Sequence, residues 1–121
     1  DWNGDGVSDV GLYRGPAARG GTGQWFLWLS SSVQKAKGGT LGAPDFQVAF
    51  GSYADFPVVG DWDNSGGDGI GVVAPQVRWL DPRQWTLRND ADISCGENCR
   101  SDISPFYGKD DQYPIVGRWG P

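Results

Sequence analysis

Oxygen-bearing side chains stand at alternate positions along the first nine residues. Asp1-Trp2-Asn3-Gly4-Asp5-Gly6-Val7-Ser8-Asp9 carries Asp, Asn, Asp and Asp at positions 1, 3, 5 and 9. That spacing suits a hard cation: Ca²⁺ takes roughly six to eight oxygen ligands at about 2.3–2.6 Å, and a glycine at the sixth position lets a tight loop turn alternate side chains and the next carbonyl inward. Asp1, Asn3, Asp5, the Val7 carbonyl and Asp9 are the candidate ligands. An EF-hand or dockerin loop would need an acidic twelfth ligand and flanking helices. Position 12 is Leu12, and Val10-Gly11-Leu12-Tyr13 has strand character. The alternative is an Asp/Gly-rich turn that binds nothing, in which three Asp and an Asn crowd together without a cation to relieve them.

A second loop has the same plan. Asp61-Trp62-Asp63-Asn64-Ser65-Gly66-Gly67-Asp68-Gly69 keeps oxygens at its first, third and fifth positions but has Gly69 where Asp9 stood. Asp61, Asp63, Ser65 and the Gly67 carbonyl form a weaker candidate site, which Asp68 completes only if the loop relaxes by one residue. A third copy begins at Arg118, a cation in place of the leading Asp.

Other chemistry is sparse. With no His in 121 residues, the Ser-His-Asp triad, the Cys-His dyad and every His-ligated metal site are excluded. Cys95 and Cys99 flank Gly96-Glu97-Asn98 with no second pair to complete a tetrahedral site, so a small local disulfide in an oxidising compartment is expected, with two free thiols as the alternative. The carboxylate pairs Asp110-Asp111 and Asp90/Asp92 are poor acid/base candidates, because neighbours along a strand point to opposite faces and both pairs sit in polar connections.

The elements that must position these residues repeat. Phe50-Gly51 matches Tyr107-Gly108, and Val58-Val59-Gly60-Asp61-Trp62 matches Ile115-Val116-Gly117-Arg118-Trp119, both at a separation of 57 residues. Asp1-Trp2 matches Asp61-Trp62, Val10-Gly11-Leu12 matches Ile70-Gly71-Val72, and Gln24-Trp25 matches Gln84-Trp85, at a separation of 60. Residues 1–60 form one unit and 61–121 a second with the start of a third. Short apolar runs bounded by Gly, Pro and Asp predict strands near 10–14, 25–30, 46–50 and 57–62, then near 70–74, 84–89, 103–107 and 114–119. The connections 15–23, 31–45, 75–83 and 90–102 are expected to be variable surface loops.

Composition agrees with an all-β chain. There are 20 Gly and 8 Pro, and of 15 acidic residues only Glu97 is Glu, the better helix former. The net charge of -5 is the wrong sign for a phosphate backbone, so no nucleic acid partner is expected. No run is long and apolar enough for membrane insertion. Seven Trp dominate a lean core. Trp2, Trp62 and Trp119 share one repeat position, and Trp25 and Trp85 another, as expected of residues packed between units. Trp28 and Trp79 are left over and are the candidate ligand-binding residues, either stacking on a sugar ring or covering a sheet edge.

Phe50-Gly51, the strand Pro57-Val58-Val59-Gly60-Asp61-Trp62 and the Asp-x-Asn-x-Asp-Gly-x-x-Asp loop resemble the FG-GAP/VCBS repeats of integrin-α-like β-propellers, over nearly the whole chain. The resemblance implies antiparallel four-stranded β-propeller blades, here two repeats plus a C-terminal closing strand. It also implies Ca²⁺ in the loop joining a blade's first two strands, a secreted, extracellular location, and adhesion or ligand binding. The expected function is a non-catalytic, calcium-stabilised binding module with a glycan or protein ligand. Part of a secreted polysaccharide-active enzyme, or a purely structural fragment of a larger propeller, are the alternatives. Two blades do not close a propeller, so partners are expected to be further copies joined head to tail through residues 113–119, or the remainder of a larger propeller.

Overall fold

The computed structural model describes residues 1–75, 82–89, 102–109 and 112–117. They are mostly β. Six strands, β1 (Val10–Arg14), β2 (Gln24–Trp28), β3 (Phe46–Ala49), β4 (Phe56–Gly60), β5 (Gly69–Val73) and β6 (Trp85–Leu87), make two three-stranded antiparallel sheets in the orders β1-β2-β3 and β4-β5-β6.

Alternation along the strands decides how the sheets meet. In the first sheet Gly11, Tyr13, Trp25, Leu27 and Val48 share a face, with Gly11 opposite Leu27 and Trp25 opposite Val48. A Cβ on Gly11 would stand 2.9 Å from both Leu27 and Trp2, so the strand needs glycine here. That face packs on Ile70 and Val72 of β5 and on Val59 of β4, giving one core of Trp25, Leu27, Val48, Phe50, Ile70 and Val72. The other face of the second sheet carries Val58, Val73 and Leu87, packed with Trp62 and Trp85. β5, covered on both faces, is buried at all five positions, and its Gly-Ile-Gly-Val-Val composition suits that.

The same hydrogen bonds recur in both halves at the separations found in the sequence. The Trp25 indole N–H donates to the Phe50 carbonyl at 3.0 Å, and the Trp85 indole to the Tyr107 carbonyl at 3.0 Å. Leu29 N–H donates to Asp45, and Asn89 N–H to Asp102, each at 2.8 Å. Gly51 and Gly108 both have positive φ, 101° and 87°, as the turn after each aromatic requires.

Three expectations are corrected. The sheets have three strands rather than four. The fourth position of the second sheet is held only by isolated bridges from Ile103 to Leu87 and from Phe106 to Gln84, because Pro105 between them has no N–H to extend a ladder. The expected last strand also differs: residues 112–117 pair with no strand, although Tyr113 meets the Phe56 ring edge-on at 6.3 Å. The third correction concerns 31–45, which is not all loop, since Ser30–Ala36 forms a helix, α1.

Candidate metal centre

The two aspartate loops precede β1 and β5 and lie side by side. The Asp68 N–H donates to the Asp1 carbonyl at 2.6 Å, the Asp1 nitrogen donates to Asp68 Oδ2 at 2.7 Å, and Gly4 lies against Gly67. Within the first loop Asp1 accepts from Asp5 N–H (3.0 Å) and Gly6 N–H (2.8 Å). Asn3 Oδ1 accepts from the same Asp5 N–H at 3.2 Å, and its amide donates to Asp5 Oδ2 at 3.0 Å. Asp5 Oδ1 takes the Val7 N–H at 2.8 Å. The second loop repeats this: Asp61 accepts from Ser65 N–H and Gly66 N–H, both at 2.9 Å, and Asp63 from the same Ser65 N–H at 3.0 Å. Positive φ at Gly4, Gly6, Asn64 and Gly66 permits these turns.

Asp1, Asn3 and Asp5 are therefore gathered on one turn, and so are Asp61, Asp63 and Ser65. Each carboxylate oxygen that accepts one N–H keeps a lone pair, so the donor sets suit a hard cation, with Asp1, Asn3, Asp5 and the Val7 carbonyl as the residues that would hold it. The Asn3 amide, and then Val7 N–H, hold the Asp5 carboxyl below the usual aspartate range; Ser65 does the same for Asp63. Both carboxylates stay ionised into mild acid, the state a cation requires. Among the described residues, no group of three or more His, Cys, Asp or Glu side chains stands close enough to hold a metal.

Two further candidate ligands also accept hydrogen bonds from distant residues, which leave their oxygens the same lone pairs as those of Asp1. Asp9 Oδ2 accepts from Trp2 N–H at 2.7 Å and Oδ1 from Ser30 N–H at 2.6 Å, so it ties the end of the loop to the start of α1. Asp68 Oδ2 accepts from the Asp1 nitrogen, which ties the second loop to the first, and Asp68 also lines a cleft with Asp61 and Asn64 of its own loop. Gly69 replaces Asp9 for a steric reason: a Cβ there would overlap the Arg88 carbonyl inside the buried β5.

Trp28 is only 8% exposed, and its indole N–H donates to the Gly42 carbonyl at 3.0 Å, so it covers the sheet and offers no face to a sugar. Trp79, Cys95 and Cys99 with the disulfide expected between them, Asp90, Asp92, Asp110, Asp111, Arg118 and Trp119 lie outside the described residues. Sequence reasoning passed over Asp45 and Asp102, which receive the Leu29 and Asn89 N–H groups. Their signal was their separation of 57 residues, the same as that of Phe50-Gly51 and Tyr107-Gly108.

Comparison with protein-family models, with curated proteins and with solved structures finds no match to this chain. No helix among the described residues is long and apolar enough to cross a membrane.

Proposed function

We propose that this chain is a non-catalytic, Ca²⁺-stabilised binding module of a secreted protein, built from repeats of the FG-GAP/VCBS β-propeller kind. The observation that carries the reading is the paired loop geometry: Asp1 with Asn3, and Asp61 with Asp63, accept the same loop N–H groups at the same spacing, and both loops stand at one end of the stacked sheets. Two loops built alike around alternate oxygens are better accounted for by a cation in each than by two unrelated turns. Calcium there fixes the loop joining consecutive strands and neutralises part of the acidic excess; the binding of glycan or protein then belongs to the variable connections.

Calorimetric titration of the 121-residue chain with CaCl₂ tests it. One stronger and one weaker site are expected, because the fifth position is a carboxylate in the first loop and a hydroxyl in the second. Asp5→Asn, which keeps an acceptor for Val7 N–H but removes the charge, should weaken the stronger site on the order of tenfold or more. No heat of binding, or an unchanged affinity in Asp5→Asn, would refute the assignment.

A further inference from the structure

We propose that Asn3 is a modification site, converted without an enzyme to aspartate and isoaspartate through a cyclic imide that the Gly4 backbone nitrogen closes. The inference does not depend on calcium. It comes from an N–H that the first aspartate loop leaves unheld, and from the hydrogen bonds that Asp5 makes to both ends of the Asn3 amide.

Within that loop the N–H groups of Trp2, Asp5, Gly6 and Val7 are all taken by side-chain oxygens of the loop itself. The Gly4 N–H is not: among the described residues it has no hydrogen-bond partner. Both Asn3 and Gly4 are exposed. The position of this loop at the start of the sequence is not the reason. Asn64 stands in the second loop where Gly4 stands in the first, and it follows β4, yet it too is exposed and its N–H has no partner among the described residues. An open fourth N–H therefore belongs to the way these loops turn.

The Gly4 nitrogen is the atom that ring closure needs. Its attack on Asn3 Cγ makes a five-membered ring within one chain, and glycine has no Cβ to obstruct the approach. Asp5 N–H donates to Asn3 Oδ1 at 3.2 Å, where negative charge grows as the carbon becomes tetrahedral, and Asp5 Oδ2 accepts at 3.0 Å from Nδ2, the nitrogen that must leave. Asp5 is thus a positioning residue. Hydroxide from solvent removes the Gly4 proton as the N–Cγ bond forms; the Cγ–Nδ2 bond then breaks, and the nitrogen leaves as ammonia with a proton taken from water, which restores the hydroxide. A further water opens the ring. Cleavage between the Gly4 nitrogen and Cγ gives aspartate, and cleavage between that nitrogen and the main-chain carbonyl carbon of residue 3 gives isoaspartate.

Neighbouring pairs in the two loops are closed to the same chemistry. Gly6 N–H donates to Asp1 at 2.8 Å, which holds it from the Asp5 carboxyl, and Ser65 N–H donates to Asp61 and Asp63 at 2.9 and 3.0 Å, which holds it from Asn64. The reaction is therefore directed to Asn3. Isoaspartate carries the chain through its side-chain carbon, so it puts one more backbone atom between Trp2 and Asp5 and removes the amide that donates to Asp5 Oδ2. On the cation reading above the change also falls on a ligand, and for that reason the test leaves calcium out.

The 121-residue chain is incubated with chelator in mildly alkaline buffer, both in urea and at a temperature where circular dichroism shows it folded, then mapped by peptide mass and by enzymatic methylation of isoaspartate. Asn3 should convert in the folded chain at least as fast as in urea, with isoaspartate in excess over aspartate. Asn64 should convert several-fold more slowly in the folded chain than in urea. Asn3→Gln, which would have to close a six-membered ring, should lose the conversion at position 3. A folded chain that keeps the Asn3 amide while the chain in urea loses it overturns the proposal. So does a product without isoaspartate, which would mean direct hydrolysis, or an Asn64 that converts equally fast in both states, which would mean that a held N–H gives no protection.

Discussion

Asp55 sits half-buried in the turn after Phe50-Gly51, where it accepts the Ser52 N–H at 2.7 Å. Burial outweighs that hydrogen bond and pushes its carboxyl above the ordinary aspartate value. Tyr13 is raised as well, first by burial and then by the Asp55 charge. An unfolded aspartate titrates near about 3.9. Between that value and its native one, Asp55 keeps a proton in the folded chain that the unfolded chain has lost, so its contribution to stability is full below the unfolded pKa and is lost as pH rises through the native one. Asp55→Asn keeps an acceptor for Ser52 N–H and carries no charge. Urea midpoints should favour the variant over the wild type more at pH 7 than at about pH 4, and an equal difference at the two pH values would contradict the burial account. Asp5 and Asp63 have the opposite sign, since their native pKa values are lowered: what they contribute is present above the unfolded value and is lost as pH falls through the native one.

Elements in this chain are held by side chains that come from far away in sequence. Helix α1 begins Ser30-Ser31-Ser32, a poor helical start, and Leu29 at its N-cap makes no side-chain cap. Two carboxylates supply what is missing: Asp9 takes Ser30 N–H, while Asp45 takes Leu29 N–H and the Ser32 hydroxyl at 2.8 and 2.9 Å. Anions at the first turn satisfy N–H groups that the helix itself leaves unpaired. Asp45→Ala should cost about 1 kcal/mol, within the range for lost caps, and Asp45→Asn less, as read from chemical denaturation. Neutrality of Asp45→Ala would show that α1 does not need the cap. The sheets show a similar exchange. Tyr13 lies over Gly23, where a Cβ would collide with its ring, whereas the matching pair in the second unit is Val73 with Arg83. Bulk moves from one strand to the next while the position stays filled.

At the scale of the whole molecule, net charge is -5, and both aspartate loops are brought to one end of the stacked sheets. Repulsion there opposes folding, and a cation that binds only the folded chain adds stability by mass action, about 2.7 kcal/mol at a hundredfold excess over the dissociation constant. The thermal midpoint should therefore rise with CaCl₂ and return with chelator, while in Asp5→Asn the rise should shrink. A midpoint indifferent to calcium would leave the loops as turns alone.

What the sequence determined by itself was local. Strand β1 at Val10–Arg14 and the strands near 46–50 and 70–74 were legible because alternation and flanking Gly, Pro and Asp are short-range signals. Gathering of Asp1, Asn3 and Asp5 was legible too, since a loop of nine residues bends back on itself whatever surrounds it. Tertiary structure decided the rest. It turned Asp9 into a staple for α1, because Ser30 is 21 residues away and no spacing rule reaches it. It buried Trp28 under the Gly42 carbonyl, a contact that depends on how residues 30–45 fold over the sheet. It turned Asp68 towards Asp1, 67 residues away, because stacking the sheets brings the two loops together. Backbone and side-chain preferences act over a few residues, whereas the partner of a buried donor or carboxylate is chosen only when distant elements pack.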